Sequence, residues 1–229
     1  VNCPAIKTVA LENLSDLIDK LRNIETYDGV FLTSGAATEI FIEKLRESNI
    51  GFNGKIYVLG KRSFDLLKTA NLDAVYFSAA NTAREMLKKI APEDLKNKRF
   101  LFVRGEKSLR VVPDFLSGVA EIDEAIVYRT ENVTIAVDKI KELVEMSKKH
   151  RITCAIFFSP SGAESFLEQC GAQILHQIKI ATIGKTTADF LEKRDLKVDF
   201  TARKATAKDF AIELIDFLRN QSQIKQQNN

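Results

Sequence analysis

The sequence predicts an α/β protein of two similar flavodoxin-like lobes with parallel sheets, one lobe inserted in the other and the two joined by a two-stranded hinge. Three observations predict it. Short β-branched and aromatic runs alternate with amphipathic stretches, the pattern of parallel strands covered on both faces. Residues 55–86 slide onto 179–210 without a gap, matching Lys55 with Lys179, Ile56 with Ile180, Gly60 with Gly184, Lys61 with Lys185, Asp65 with Asp189, Leu67 with Leu191, Leu72 with Leu196, Thr82 with Thr206 and Ala83 with Ala207. Two extended segments of similar composition, 5–11 and 121–130, flank the first copy.

In chain order, strands are expected at 29–33, 55–59, 74–77, 99–103, 153–158, 179–183 and 198–200, each rich in Val, Ile, Phe or Tyr. Helical patterns fill the gaps at 36–47, 63–69, 82–90, 161–170, 186–193 and 206–218. Upstream of the main repeat, Phe31, Ser34, Gly35 and Ala36 match Phe158, Ser161, Gly162 and Ala163 after a change of offset. Residues 98–118 form a strand, turn and helix with no second copy. The simplest division is an inserted lobe at 12–122, a second lobe at 133–229, and hinge segments at 1–11 and 123–132. By analogy with 98–118, the second lobe is expected to begin with a strand and helix lying before Val1. The tail from Gln221 is rich in Gln and Asn and is expected to fray.

Composition narrows the function. Lys and Arg number 34 against 31 Asp and Glu, so a net charge of +3 with mixed signs gives no sign of a nucleic-acid surface, although it leaves room for a local basic cleft. No apolar run reaches the roughly 18 residues of a membrane span, and no basic, apolar leader opens the chain, so a soluble cytoplasmic protein is expected. Cys3, Cys154 and Cys170 fit neither a disulfide framework nor a zinc site and read as thiols. His150 and His176 have no second ligand at metal spacing. Neither Gly-x-Gly-x-x-Gly nor a P-loop occurs, since Gly184-Lys185-Thr186 lacks the earlier glycine, and no Ser or Cys has a plausible His partner.

Ligands of open parallel sheets gather at the carboxyl ends of the strands. The turns there are Thr33-Ser34-Gly35, Gly60-Lys61-Arg62-Ser63 and 78–82 in one lobe, and Ser159-Pro160-Ser161-Gly162, Gly184-Lys185-Thr186-Thr187 and Ala205-Thr206 in the other. Each combines hydroxyls with backbone N–H groups at the positive end of a helix dipole, which suits a carboxylate or phosphate; plain N-capping explains the same residues. The turn from Val103 to Arg110 adds a strand-end arginine, Arg104, and a glycine, Gly105, that permits positive φ. An ordinary solvated turn is the alternative.

These segments resemble the uroporphyrinogen-III synthase family. The resemblance rests on Phe31-Leu32-Thr33-Ser34, Val103-Arg104-Gly105, 125–130 with Tyr128 inside, Phe157-Phe158-Ser159-Pro160-Ser161-Gly162 and Ile183-Gly184-Lys185-Thr186-Thr187-Ala188, in family order over nearly the whole chain. Two departures stand out: the family's first strand and helix are absent, and Lys185 stands where a proline is often found. The resemblance implies a monomeric enzyme without metal or organic cofactor, acting on hydroxymethylbilane, a linear tetrapyrrole with eight carboxylates. It implies Tyr128 as proton donor, with Thr33, Ser34, Ser63, Arg104, Ser159, Ser161, Lys179, Thr186 and Thr187 as substrate contacts. Tyr128 reads equally as a structural aromatic of the hinge strand, and Lys179 as the start of a strand. The alternative function is a two-lobed small-molecule or tetrapyrrole binding module without turnover.

Overall fold

The computed structural model describes residues 1–203 and 206–227, with side chains of the last helix described as far as Asn220. The chain divides into two compact units: Thr8–Glu131, and Val1–Lys7 together with Asn132–Asn229. The first is therefore inserted in the sequence of the second.

A six-stranded sheet, all of which but Ile6, Lys7 and Asn132 lies in the inserted unit, has strands β1 (Ile6–Ala10), β2 (Gly29–Leu32), β3 (Lys55–Val58), β4 (Ala74–Tyr76), β5 (Arg99–Gly105) and β6 (Glu121–Asn132), in the spatial order β1-β6-β5-β2-β3-β4. β2 pairs parallel with β3 on one side and β5 on the other, and β3/β4 and β5/β6 are also parallel. The strand order thus reverses between β2 and β5, which makes the space beyond their carboxyl ends the topological switch point. Every residue of β2 is buried. A Cβ at Gly29 would come within 2.7 Å of the Lys55 carbonyl oxygen and 3.0 Å of the Phe100 ring, so only glycine lets β3 and β5 close on the start of this strand.

Helices α1 (Ser15–Arg22), α2 (Gly35–Glu47) and α3 (Lys61–Thr69) cover one face of the sheet through Leu17, Leu21, Ala37, Phe41, Leu45 and Leu67. The spacing of Ala37, Phe41 and Leu45 at four-residue intervals puts one apolar stripe of α2 on the strands. Helices α4 (Ala83–Leu87) and α5 (Val111–Leu116) cover the other face, where Phe31 stacks on Tyr57 at 5.0 Å and tilts against Phe100 at 5.0 Å.

The outer unit carries β7 (Cys154–Phe157), β8 (Lys179–Thr182) and β9 (Phe200–Thr201), parallel and in that spatial order. α7 (Pro160–Cys170) and α8 (Lys185–Glu192) supply one face of its core, and α9 (Ala207–Gln227) the other through Phe210 and Leu214. α6 (Val137–Lys148) buries Leu143. Two extended stretches of this unit are gripped by α7: Ser165 Oγ donates to the Ala5 carbonyl at 2.7 Å, while Gln169 donates to the Val133 carbonyl at 3.0 Å and accepts from Ile135 N–H at 2.7 Å.

The repeat is visible in three dimensions. β3 and β8 begin at Lys55 and Lys179, and α3 and α8 begin at Lys61 and Lys185 behind N-cap glycines Gly60 and Gly184. Upstream, the match of Ser34 to Ser161 is corrected. Ser34 Oγ accepts from Ala37 N–H as Ser159 Oγ accepts from Gly162 N–H, so the paired caps are Ser34 and Ser159. Identity matching was misled because both segments hold Ser-Gly-Ala, in α7 one step inside the helix. The helices α3, α7 and α8 start at Lys61, Pro160 and Lys185, before the expected Ser63, Ser161 and Thr186. The eight-residue α1 and the twelve-residue α6 are additional to the helices expected from the alternation. α9 runs on to Gln227 where fraying was expected, since glutamine favours helix almost as well as lysine. Of the Ala205-Thr206 turn, Ala205 lies outside the described residues, while Thr206 Oγ1 accepts from Asp209 N–H at 3.1 Å.

Two stability predictions follow from the inserted unit. Tyr57 is buried and its hydroxyl has no hydrogen-bond partner among the described residues; burial pushes its pKa up to about 12. Leaving a hydroxyl dry and unpaired costs about 1–3 kcal/mol, so Tyr57→Phe is expected to raise the urea midpoint, by about 1 kcal/mol in stability at unchanged slope; a lower midpoint contradicts this. Asp28 accepts from Arg99 N–H and Lys98 Nζ, each at 2.9 Å, and these bonds, the backbone one foremost, hold its pKa below the ordinary carboxylate value. Its stabilisation is therefore complete above the unfolded value of about 3.9 and is lost as pH falls through the lower folded value. Asp28→Asn is expected to flatten the acid limb of stability against pH; an unchanged limb assigns the loss to other carboxylates.

Candidate active site

In the inserted unit, β2 ends at Leu32, in register with Val103 of β5, and β5 ends at Gly105, in register with Tyr128 of β6. Thr33, Ser34, Arg104 and Tyr128 consequently share the carboxyl edge at the switch point. Ser34 is extended, with φ −143° and ψ 149°, and its hydroxyl caps α2. Across from it, Arg62 in the first turn of α3 lies beside Gly35, with Nε 3.5 Å from where a Cβ would be, and pairs with Glu39 at 2.6 Å. Arg62 is the cation of this edge that the sequence reading passed over. It stands in the Gly60-Lys61-Arg62-Ser63 turn, whose expected contact, Ser63, is instead 2% exposed within α3.

Arg104 is not a free cation. Its side chain is 11% exposed; Nε donates to Glu124 at 2.5 Å, and a terminal nitrogen donates to the Gly105 and Glu106 carbonyls at 2.9 and 3.2 Å. The other carboxylate oxygen of Glu124, which is 22% exposed, accepts from Arg110 at 3.0 Å. An arginine expected to meet a ligand is instead folded over its own turn.

Between Arg104 and Gly105 the β5/β6 register slips: Arg104 faces Ile126 and Gly105 faces Tyr128. This bulge re-aims the end of β6. Glu106 N–H donates to the Tyr128 carbonyl at 2.9 Å, and Gly105 N–H to Ser108 Oγ at 3.1 Å. The half-buried Tyr128 ring lies directly on Gly105, where any Cβ would run into it. Gly105 is thus required for close approach; it is not among the glycines with positive φ, the role first expected for it.

In the outer unit, the corresponding edge holds Ser159 and Ser161, whose hydroxyls lie 3.3 Å apart, at the start of α7. At the start of α8, Thr186 is exposed and Thr187 is 3% exposed, so these neighbours cannot play the same part. Lys179 opens β8 at the opposite end of the strand, about 13 Å from the carboxyl edge. Its Nζ sits 5.6 Å from the centroid of the Phe217 ring. The structure therefore does not bring Lys179 to Ser159, Ser161 and Thr186. Among the described residues, no group of three or more His, Cys, Asp or Glu side chains could hold a metal ion, the three cysteines are free, and no helix is long and apolar enough to cross a membrane.

A family model described as uroporphyrinogen-III synthase HemD matches residues 1–211. The chain is 27% identical over 223 residues to a uroporphyrinogen-III synthase of Chlorobaculum parvum, covering 93% of this chain and 86% of that protein. It is 25% identical over 212 residues to a uroporphyrinogen-III synthase of Schizosaccharomyces pombe, covering 88% and 80%. The crystal structure of uroporphyrinogen-III synthetase from Helicobacter pylori is similar in fold, with a TM-score of 0.66 at 18% identity over 93% of this chain and 91% of that one. A Thermus thermophilus uroporphyrinogen III synthase mutant gives 0.59 at 17% identity over 96% and 88%.

The packing of Tyr128 on Gly105 is open to test by contrast with Gly35. Gly105→Ala is expected to displace the ring and destabilise the chain by about 1–3 kcal/mol. Gly35→Ala, whose Cβ would meet only ordinary contact distances, is expected to be neutral within about 0.5 kcal/mol. Urea midpoints read the difference, and equal effects of the two substitutions would refute the close-approach role.

Proposed function

The chain belongs to the uroporphyrinogen-III synthase family, and we propose on that premise that it cyclises hydroxymethylbilane to uroporphyrinogen III with loss of water and inversion of the last pyrrole ring. The observation that carries this reading is the match of one family model across residues 1–211. In this reading it is a cyclising hydro-lyase. The terminal carbon–oxygen bond breaks as Tyr128 donates the proton with which hydroxide leaves as water; two carbon–carbon bonds to the last pyrrole form and one existing bond to it breaks, which closes the ring with that pyrrole inverted, and the proton displaced from its free α-carbon returns to Tyr128.

The geometry supports a division of labour. Tyr128 stands at a sheet edge on a ring held by its bulge, so its hydroxyl meets the leaving group with little freedom to lose. Thr33 and Arg62 beside the start of α2 are suited to substrate carboxylates, as are Ser161 and Thr186 at the starts of α7 and α8, where helix dipoles favour negative charge. Ser34 and Ser159 keep the first turns of α2 and α7 in shape as caps, while Ser63 and Thr187 are buried within α3 and α8. Arg104 serves the turn that carries Gly105. The activated pyrrole chemistry belongs to the substrate, so catalysis is chiefly the choice of one closure over another.

The test supplies hydroxymethylbilane enzymatically and separates the isomers formed. The wild type is expected to give the type III isomer above the spontaneous type I background. Tyr128→Phe is expected to lower the type III rate by about 10²-fold or less, the low end for general acid assistance, with smaller change in KM. Type I product alone, with substrate still bound, would replace the enzyme by a tetrapyrrole-binding module; an unchanged rate in Tyr128→Phe would remove Tyr128 as donor.

A further inference from the structure

We propose that Glu124 is a positioning residue that sets Tyr128 for the reaction, an inference that rests on the reading of Tyr128 as proton donor. Glu124 lies on the same strand as Tyr128, but its carboxylate turns to the face covered by α4 and α5, with Arg104 and Arg110, whereas Tyr128 packs against the core of the other face. No direct contact between Glu124 and Tyr128 is involved. The link runs through the turn that follows β5.

Hydrogen bonds and one packing contact make up the link. The Glu124 carboxylate holds Arg104 at 2.5 Å and Arg110 at 3.0 Å, bridging the last strand residue before the bulge and the residue that leads into α5. Arg104 in turn holds the carbonyls of Gly105 and Glu106. Glu106 N–H is bonded to the Tyr128 carbonyl at 2.9 Å, and Gly105 forms the seat of the Tyr128 ring. Both ends of the turn between Arg104 and Arg110 are therefore fastened to one carboxylate, and the floor under the tyrosine is part of that turn.

Exposed ion pairs contribute little to stability. This one is different in kind, because Arg104 is largely withdrawn from water and the carboxylate answers two guanidinium groups at once. Replacing the carboxylate by an amide leaves two positive groups facing each other across a weak acceptor and releases the fork that keeps the Gly105 and Glu106 carbonyls in place. The consequence is a loosened seat for Tyr128 with substrate-binding groups elsewhere untouched.

The experiment uses the full chain. Glu124→Gln is expected to lower kcat for type III formation by about 10-fold, as misplacement of a reacting group does, with KM changed less than about twofold. In the Tyr128→Phe background it is expected to add no further loss, because the group it positions is gone. Arg104→Lys, which keeps the charge but not the fork, is expected to reproduce the effect. Independently of turnover, ring-labelled tyrosine spectra contain only four residues, and Glu124→Gln is expected to shift the Tyr128 signal. Full additivity with Tyr128→Phe, or loss of kcat with an unmoved Tyr128 signal, overturns the positioning role. A wild-type chain that forms no type III isomer overturns the proposed reaction instead, and the tyrosine spectra then still decide whether Glu124 orders the ring.

Discussion

Pairing of β2 on both edges is the constraint on which the inserted unit depends. A strand that is buried along its whole length, with neighbours on each side, has to spend every backbone group in the two ladders and every side chain in one core or the other. Gly29 permits this by leaving room for the Lys55 carbonyl and the Phe100 ring, and Phe31 completes it by stacking between Tyr57 and Phe100. Once β3 and β5 are fixed to opposite sides of β2, the loops leaving β2 and β5 must diverge to different faces. The polar edge with Thr33, Ser34 and the 104–110 turn is a result of that divergence.

Much of the fold was legible in the sequence because it is written in local signals. Strand and helix alternation, the duplicated glycine turns before Lys61 and Lys185, and the cap chemistry of Ser34 and Ser159 all act over a few residues. What escaped was set by partners far along the chain. Arg104 looks the same in sequence whether it faces a ligand or a glutamate twenty residues later, and only the β5/β6 register decides. The bulge that joins Gly105 to Tyr128 has no sequence mark beyond a glycine. Lys179 stood as a contact on the family resemblance alone; as the first residue of the 179–183 strand it already lay at the end away from the turns, and β8 begins there.

The two units solve one problem with different residues. Both begin a helix behind a serine cap and a second helix behind a glycine, yet the residue between the strand and the serine cap is Thr33 in one and Phe158 in the other. The inserted unit adds a tyrosine resting on a glycine and a carboxylate shared by two arginines; the outer unit offers hydroxyls. Duplication has kept the scaffold of helix starts and let the chemistry at their rims drift apart, so that the reactive group of the proposed mechanism belongs to one copy alone.

The grip of α7 on the extended segments has a consequence for how the chain reaches its native state. Ser165 and Ala5, joined by a hydrogen bond, are 160 residues apart in sequence. The stretch between them contains the inserted unit, Thr8–Glu131. During synthesis from the amino end, that unit emerges before α7, the helix that holds Ala5. Connectivity therefore favours condensation of the inserted unit first, which would shorten the loop that the outer unit has to close and bring its two ends near each other before they join.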